Sequence, residues 1–174
     1  LSGMDRPTAG TVHFAGKEIT KCTDDQLAVF RRKHCGFVFQ QIYLLEKMSL
    51  MDNVLTAGAL GGSSRKELIR RAGELFDMVN IPEITRKKFS SQVSGGEAQR
   101  AGIVRAVINK PEVVFADEPT AELDSNTALQ VARIFRELVD KEGTTVVMTT
   151  HDAALMEIGD AVYALEDGEV CHDA

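Results

Sequence analysis

Val113-Val114-Phe115-Ala116-Asp117-Glu118-Pro119-Thr120 is the stretch that decides the fold. A short apolar strand runs straight into two acids. In open α/β sheets, ligands gather at the carboxyl ends of the strands. Two adjacent carboxylates there repel each other and lose solvation unless a cation or a reaction makes use of them. One of them, Asp117, could hold Mg²⁺, a hard ion that takes oxygen ligands. The other, Glu118, could orient or deprotonate an attacking water, a role worth roughly 10²–10⁴-fold in rate. By itself the segment reads equally well as a strand followed by a solvated acidic turn.

Strands and helices alternate on both sides of it. Downstream, Asp124–Glu142 carries Leu129, Ala132, Phe135, Leu138 and Val139 on one helical face, and Gly143 suits its C-cap. Thr144–Thr149 is a β-branched strand. Ala161–Leu165 and Glu169–Cys171 flank Asp167-Gly168, a hairpin turn pair. Upstream, Cys35–Gln40 reads as a buried strand and Asp24–Lys33 as a short charged helix. Thr11–Phe14 and Lys17–Ile19 form a hairpin around Ala15-Gly16. Between the flanks, residues 43–108 are helical in character. Arg65–Val79 places Leu68, Ile69, Ala72, Leu75, Phe76 and Val79 on one face, with Arg65, Lys66, Glu67, Arg70, Arg71 and Glu74 largely opposite. Gly61–Ser64 is a loop before that helix, and Pro82 stops it. The pattern predicts an α/β domain with a mostly parallel sheet, built from residues 1–42 and 109–174, with a helical insertion at 43–108.

Composition narrows the class. A chain of 174 residues is one domain's length and can bury a real core. With 44% hydrophobic and 26% charged residues, disorder and low complexity are excluded. No apolar run approaches the ~20 residues of a membrane span. A formal net charge of -6 disfavours nucleic acid or an anionic membrane surface as partner. Cys22, Cys35 and Cys171 are scattered, which argues against a disulfide framework or zinc knuckle and for a reducing compartment. The first ten residues hold no basic region and no apolar stretch, so they are not a signal peptide. Because the chain starts at Leu1 rather than Met, a fragment is expected.

Three further segments carry chemistry. Ser94-Gly95-Gly96-Glu97 opens an apolar-striped helix through Ile103, Val104, Val107 and Ile108. Ser94 and Glu97 make a capping box. The glycines are not needed for that, and each costs about 1 kcal/mol relative to Ala in a helix, so something is expected to approach the backbone closely. Bare amides at a helix N-terminus suit an anion, although the Glu97 carboxylate competes with one. His151 follows the Thr144–Thr150 run, where a ligand belongs. Gln40 ends an apolar strand, and its neutral amide could ligate a metal or bridge a water. The basic runs Arg31-Arg32-Lys33 and Arg86-Lys87-Lys88 read first as solvated helix faces and second as docking points.

Together, in this order, these segments resemble the nucleotide-binding ATPase subunit of ABC transporters. Val93-Ser94-Gly95-Gly96-Glu97 resembles the family signature, Val113–Glu118 the Walker B strand with its catalytic glutamate, and Phe39-Gln40 the Q-loop. Ala121-Glu122-Leu123-Asp124 resembles the D-loop and Thr150-His151-Asp152 the H-loop. The resemblance spans essentially the whole chain. It implies a P-loop NTPase with a RecA-like core, an antiparallel β hairpin and an inserted helical signature subdomain. It implies that Asp117 supports Mg²⁺ with Gln40 contributing an amide oxygen, that Glu118 acts on the attacking water, and that His151 contacts the γ-phosphate of ATP. It further implies that Ser94, Gly95 and Gly96 close over ATP held by the opposite subunit of a head-to-tail dimer, with Asp124 at that interface. The implied partners are an integral membrane permease and a second ATPase subunit, identical or paralogous, on the cytoplasmic face of the membrane, and no nucleic acid. Tyr43-Leu44-Leu45 and Met51-Asp52-Asn53-Val54 most resemble the bacterial branch that handles lipoproteins, macrolides or antimicrobial peptides.

The chain departs from that pattern in places. The phosphate loop Gly-x-x-x-x-Gly-Lys-Ser/Thr does not occur in it. The nearest match, Gly10…Gly16-Lys17, is one residue too long and is followed by Glu18. Pro7–Ile19 matches the hairpin that follows the phosphate loop in the family, so that loop is expected upstream of Leu1, and the chain as written is expected not to hydrolyse ATP. Val93 replaces the usual Leu, Glu97 the common Gln, and Ala121 the usual Ser or Gly of the D-loop. Two other functions stay open at this point. One is a soluble ABC ATPase of DNA repair or translation, disfavoured by the missing heptad arms and second cassette. The other is a degenerate remnant that binds a partner without turnover.

Overall fold

Positive backbone φ at two consecutive residues turns the N-terminal segment back on itself. The computed structural model describes residues 1–171. In it, strands β1 (His13–Phe14) and β2 (Lys17–Glu18) pair antiparallel across Ala15 (φ 47°) and Gly16 (φ 79°), the primed-turn geometry that matches strand twist. Helix α1 (Asp24–His34) begins at a Thr23/Gln26 capping box, with Asp24 and Asp25 in its first turn and Arg31, Arg32, Lys33 and His34 in its last. That charge order follows the helix dipole. Phe14, Phe30 and His34 pack together with ring centroids 5.0–5.4 Å apart and hold the hairpin against α1.

The sheet comes next. Strand β3 (Cys35–Val38) is followed by the helical stretch: α2 (Leu50–Ala59), α3 (Arg65–Met78), α4 (Glu83–Arg86), a 3₁₀ turn at Ser90–Gln92, and α5 (Gly95–Val107). Strand β4 (Val113–Asp117), helix α6 (Ser125–Glu142), strand β5 (Thr145–Thr149) and helix α7 (Ala153–Glu157) follow. The order in the sheet is β3-β4-β5, all parallel. Strands β6 (Ala164–Glu166) and β7 (Glu169–Cys171) make a separate hairpin across Asp167 (φ 49°) and Gly168 (φ 84°). The parallel α/β design, both hairpins and the Gly143 C-cap (φ 67°) stand as expected. Two bounds differ. β3 ends at Val38, so Gln40 lies two residues past the strand, and β6 starts at Ala164 rather than Ala161.

Two expected core residues are also outside. Ile69 and Leu129 are each 45% exposed. Each follows the first buried residue of its helix, Leu68 and Ala128, and one residue turns the chain by about 100°, past the edge of the apolar stripe. On α6 the stripe is centred on Val131, Ile134, Phe135 and Leu138 instead.

Helix α5 is the packing centre. Ala101, Ile103 and Val104 are fully buried, and the helix lies against α2, α3 and β3. The approach to β3 is close: a Cβ on Gly36 would lie 2.5 Å from the Ala106 carbonyl oxygen. One buried cluster runs from Phe76 on α3 through Ile103 on α5 to Val114 on β4 and Phe135 on α6, across the expected boundaries at 43 and 109. Arg71 fastens the far end of α5. Its Nε donates to the Ile108 carbonyl at 2.9 Å and its Nη2 to the Val107 carbonyl at 3.0 Å, while Nη1 and Nη2 grip Glu142 at 3.1 and 2.8 Å. These carbonyls end a helix and have no partner within it.

The basic runs are not uniformly solvated. Arg86 is buried, donates to the Ile81 carbonyl at 2.8 Å, pairs with Asp77 and lies over the Phe76 ring at 5.4 Å. Arg31 donates to the Gly3 carbonyl. Both act as internal ties, and the planar guanidinium of Arg86 satisfies two acceptors at once. Truncating Leu68 to Ala is expected to cost about 2–5 kcal/mol, while Ile69→Ser stays within about 0.5 kcal/mol. Urea unfolding of the two variants checks the placement of the stripe.

Candidate functional site

Parallel pairing carries the polar ends of three strands to one edge. Asp117 is in register with Thr149, and Thr149 Oγ1 donates to Asp117 Oδ1 at 2.6 Å. The chain then bends sharply. Glu118 has φ 43°, left-handed backbone that costs of order 1–3 kcal/mol for a residue other than glycine and clusters at functional sites. Its N–H donates to the Thr149 carbonyl at 3.0 Å. Pro119 and Thr120 are buried beneath the bend, and Thr120 Oγ1 donates to Asp152 Oδ2 at 3.3 Å.

The bend places the Glu118 carboxylate against His151. His151 Nδ1 and Glu118 Oε1 are 3.0 Å apart. The hydrogen bond to Glu118, reinforced by its charge, raises the His151 pKa above its ordinary 6.5 and favours the protonated, donating imidazole. Glu118 Oε2 is buried and has no hydrogen-bond partner among the described residues. A buried carboxylate oxygen left open is costly unless a ligand or water takes it.

Gln40, past the end of β3, shares a small cleft of about 40 Å³ with Glu118, Ile42, Gly95, Gln99 and Leu123. That space accommodates a water or two, not a nucleotide. The structure therefore brings Gln40, Glu118, His151 and Gly95 together, with Asp117 exposed beside them.

The signature-like segment has its own local logic. Ser94 caps α5. Its Oγ accepts from Glu97 N–H at 3.2 Å and donates to Glu97 Oε2 at 3.1 Å, and its N–H donates to the same oxygen at 2.9 Å. The Ser94 backbone hydrogen bond holds the Glu97 carboxyl below the usual carboxylate range. A Cβ on Gly96 would lie 2.8 Å from Thr127 Cγ2, so this chain's own α6 is the close neighbour that Gly96 admits; around Gly95 the space is open. Asp124 is the N-cap of α6: Oδ1 accepts from Asn126 N–H at 3.0 Å and Thr127 N–H at 3.2 Å, and Oδ2 from Thr127 Oγ1 at 2.7 Å. Those bonds keep its carboxyl low. Thr149 escaped the sequence reading. A run of hydroxyl residues, Thr149-Thr150, at the end of an apolar strand was the signal for it.

With this geometry in place, likeness to known proteins becomes decisive. Residues 1–121 match the family model described as ABC transporter. The chain belongs to the ABC transporter family. It is 40% identical over 175 residues to a macrolide export ATP-binding/permease protein of Rhodopirellula baltica, covering 99% of this chain and 25% of that protein. It is 36% identical to a lipoprotein-releasing system ATP-binding protein of Bacteroides fragilis, covering 98% of this chain and 78% of that one. A solved dimeric ATP-binding cassette in a post-hydrolysis state, bound to ADP and Pi, superposes with a TM-score of 0.88 at 35% identity over 97% of this chain and 74% of that one. The fold is thus that of an ABC ATPase cassette, a P-loop NTPase with a parallel sheet. The chain spans about a quarter of the length of the macrolide export relatives. Among the described residues of this cassette, no helix is long and apolar enough to cross a membrane.

The His151–Glu118 pair has a pH signature. A raised histidine pKa means that its contribution to stability is complete below pH 6.5 and is lost as pH climbs through the folded-state value. Proton NMR titration of the chain is expected to give His151 a pKa above 6.5 that falls back toward 6.5 in Glu118→Gln.

Proposed function

We propose that this cassette supplies the ATP-hydrolysing chemistry of an ABC export transporter. The observation that carries the reading is the Glu118 carboxylate at the carboxyl end of β4, with one oxygen held by His151 and the other buried and open. That arrangement orients a base toward a water and leaves it an acceptor. Gln40 lies in the same cleft, Asp117 is fixed by Thr149, and the relatives named above are ATP-binding components of export and release systems.

The donor set fits Mg²⁺ held together with phosphate. Among the described residues, no group of three or more His, Cys, Asp or Glu side chains could cage a metal. Mg²⁺ does not need one, since it is usually bound through one or two carboxylates plus substrate phosphates. Asp117 would hold it, with the Gln40 amide oxygen alongside, and the ion would neutralise charge developing on the phosphates. Glu118 would accept the proton of the attacking water, and His151 would contact the γ-phosphate. Ser94, Gly95 and Gly96 would meet the nucleotide of a second subunit, identical or paralogous. Ser94 Oγ would then turn its hydrogen from Glu97 Oε2 to the phosphate while still accepting from the Glu97 N–H. Asp124, as a rigid cap beside Gly96, would lie at that interface. Residues 43–108 would move as the helical subdomain. Tyr43 and Leu45, exposed next to Gln40, would offer a contact for a membrane permease, and the cassette would then sit on the cytoplasmic face of the membrane. Substrate recognition then belongs to the permease.

Residues 1–174 contain no phosphate loop, so on their own they are expected to release no phosphate from Mg·ATP. Joined to one, the cassette is expected to turn over ATP, and Glu118→Gln to lower kcat by about 10²–10⁴-fold while ATP-dependent dimerisation, read by light scattering, persists. Turnover that survives Glu118→Gln overturns the reading.

A further inference from the structure

Helix α5 touches the Gln40 segment along one side. Gly95 and Gln99 line the cleft with Gln40 and Ile42. One turn on, a Cβ at Gly102 would lie 3.0 Å from Ile42 Cγ2, so glycine lets segment and helix meet closely. Three residues further, Arg105 closes the contact: Nη2 donates to the Ile42 carbonyl at 2.7 Å and Nη1 to the Tyr43 carbonyl at 2.6 Å.

Arg105 is half-buried, and no carboxylate pairs with it among the described ion pairs. Burial alone lowers its pKa. A desolvated cation is costly without compensation, and here the compensation is two consecutive backbone carbonyls. Tyr43 itself has φ 47°, a conformation that surrounding contacts must impose. The planar fork of a guanidinium can take both carbonyls together, whereas a lysine ammonium is a point charge.

We propose that Arg105 is a positioning residue that fastens residues 42–43 to α5, so that Gln40 and the Ser94–Gly96 end of the helix hold one relative placement and shift as a unit. The tie is read from geometry alone; its effect on turnover rests on the ATPase reading of Gln40 and Glu118. Arg105 touches none of the groups assigned to nucleotide or metal and acts only through the segment it holds.

Two measurements test it separately. The chain has two tyrosines, Tyr43 and Tyr163, so 3-fluorotyrosine labelling gives two ¹⁹F signals, assigned with Tyr163→Phe. In Arg105→Ala the Tyr43 signal is expected to shift or split while the Tyr163 signal stays in place, and Arg105→Lys, which keeps the charge but not the fork, is expected to fall between. Unmoved Tyr43 signals in both variants overturn the proposal, as does equal movement of both tyrosines, which marks general loosening. If Arg105→Ala does not fold, Arg105→Lys decides by the same criterion. In the cassette joined to a phosphate loop, Arg105→Lys is expected to lower kcat about ten- to hundredfold with KM for ATP unchanged. A raised KM at unchanged kcat overturns the role in turnover. Absence of turnover before any substitution at Arg105 counts against the ATPase reading and leaves the ¹⁹F result to judge the tie.

Discussion

Parallel pairing of β3, β4 and β5 is the constraint on which the rest depends. Parallel strands all present their carboxyl ends to one edge, so residues far apart in the chain converge there without any sequence signal of contact. Gln40, Asp117, Glu118 and His151 lie at or just past those three ends. The ladder continues past the last strand residues through Thr149, whose hydroxyl holds Asp117 and whose carbonyl takes the Glu118 N–H. These bonds flank the left-handed bend at Glu118, whose carboxylate meets His151.

The second organising element is α5. It is buried between the helical stretch and the sheet, and glycine lets it meet three neighbours closely: β3 at Gly36, α6 at Gly96 and the Gln40 segment at Gly102. Arginines supply the polar counterpart. Arg71 ties the Val107 and Ile108 carbonyls at the end of α5 to Glu142, while Arg105 takes two carbonyls of the Gln40 segment.

Much of the fold was legible because its signals are local. The cap of α5, the Gly143 stop, both hairpin turns and the apolar runs of β4 and β5 each follow from a few adjacent residues. Ile69 and Leu129 were misread because one residue's rotation separates the edge of a stripe from its centre, and only the neighbouring element decides where the edge falls. Arg86 was misread for a similar reason: a charge run looks solvated until a ring and two acceptors close over one member of it.

What the sequence by itself determined is the set of chemical groups and their order: paired acids after an apolar strand, a serine-capped glycine start to a helix, and a histidine after a β-branched strand. Those properties depend on spacing along the chain, which the sequence states outright. Only the tertiary structure decided which groups touch. It paired His151 with Glu118 and left one Glu118 oxygen open. It committed Asp124 to capping and Ser94 to Glu97, and it set Arg105 on the carbonyls of Ile42 and Tyr43, 62–63 residues away in the chain. Such contacts arise from the register of parallel strands and the close approach of helices, long-range conditions that no window of sequence contains.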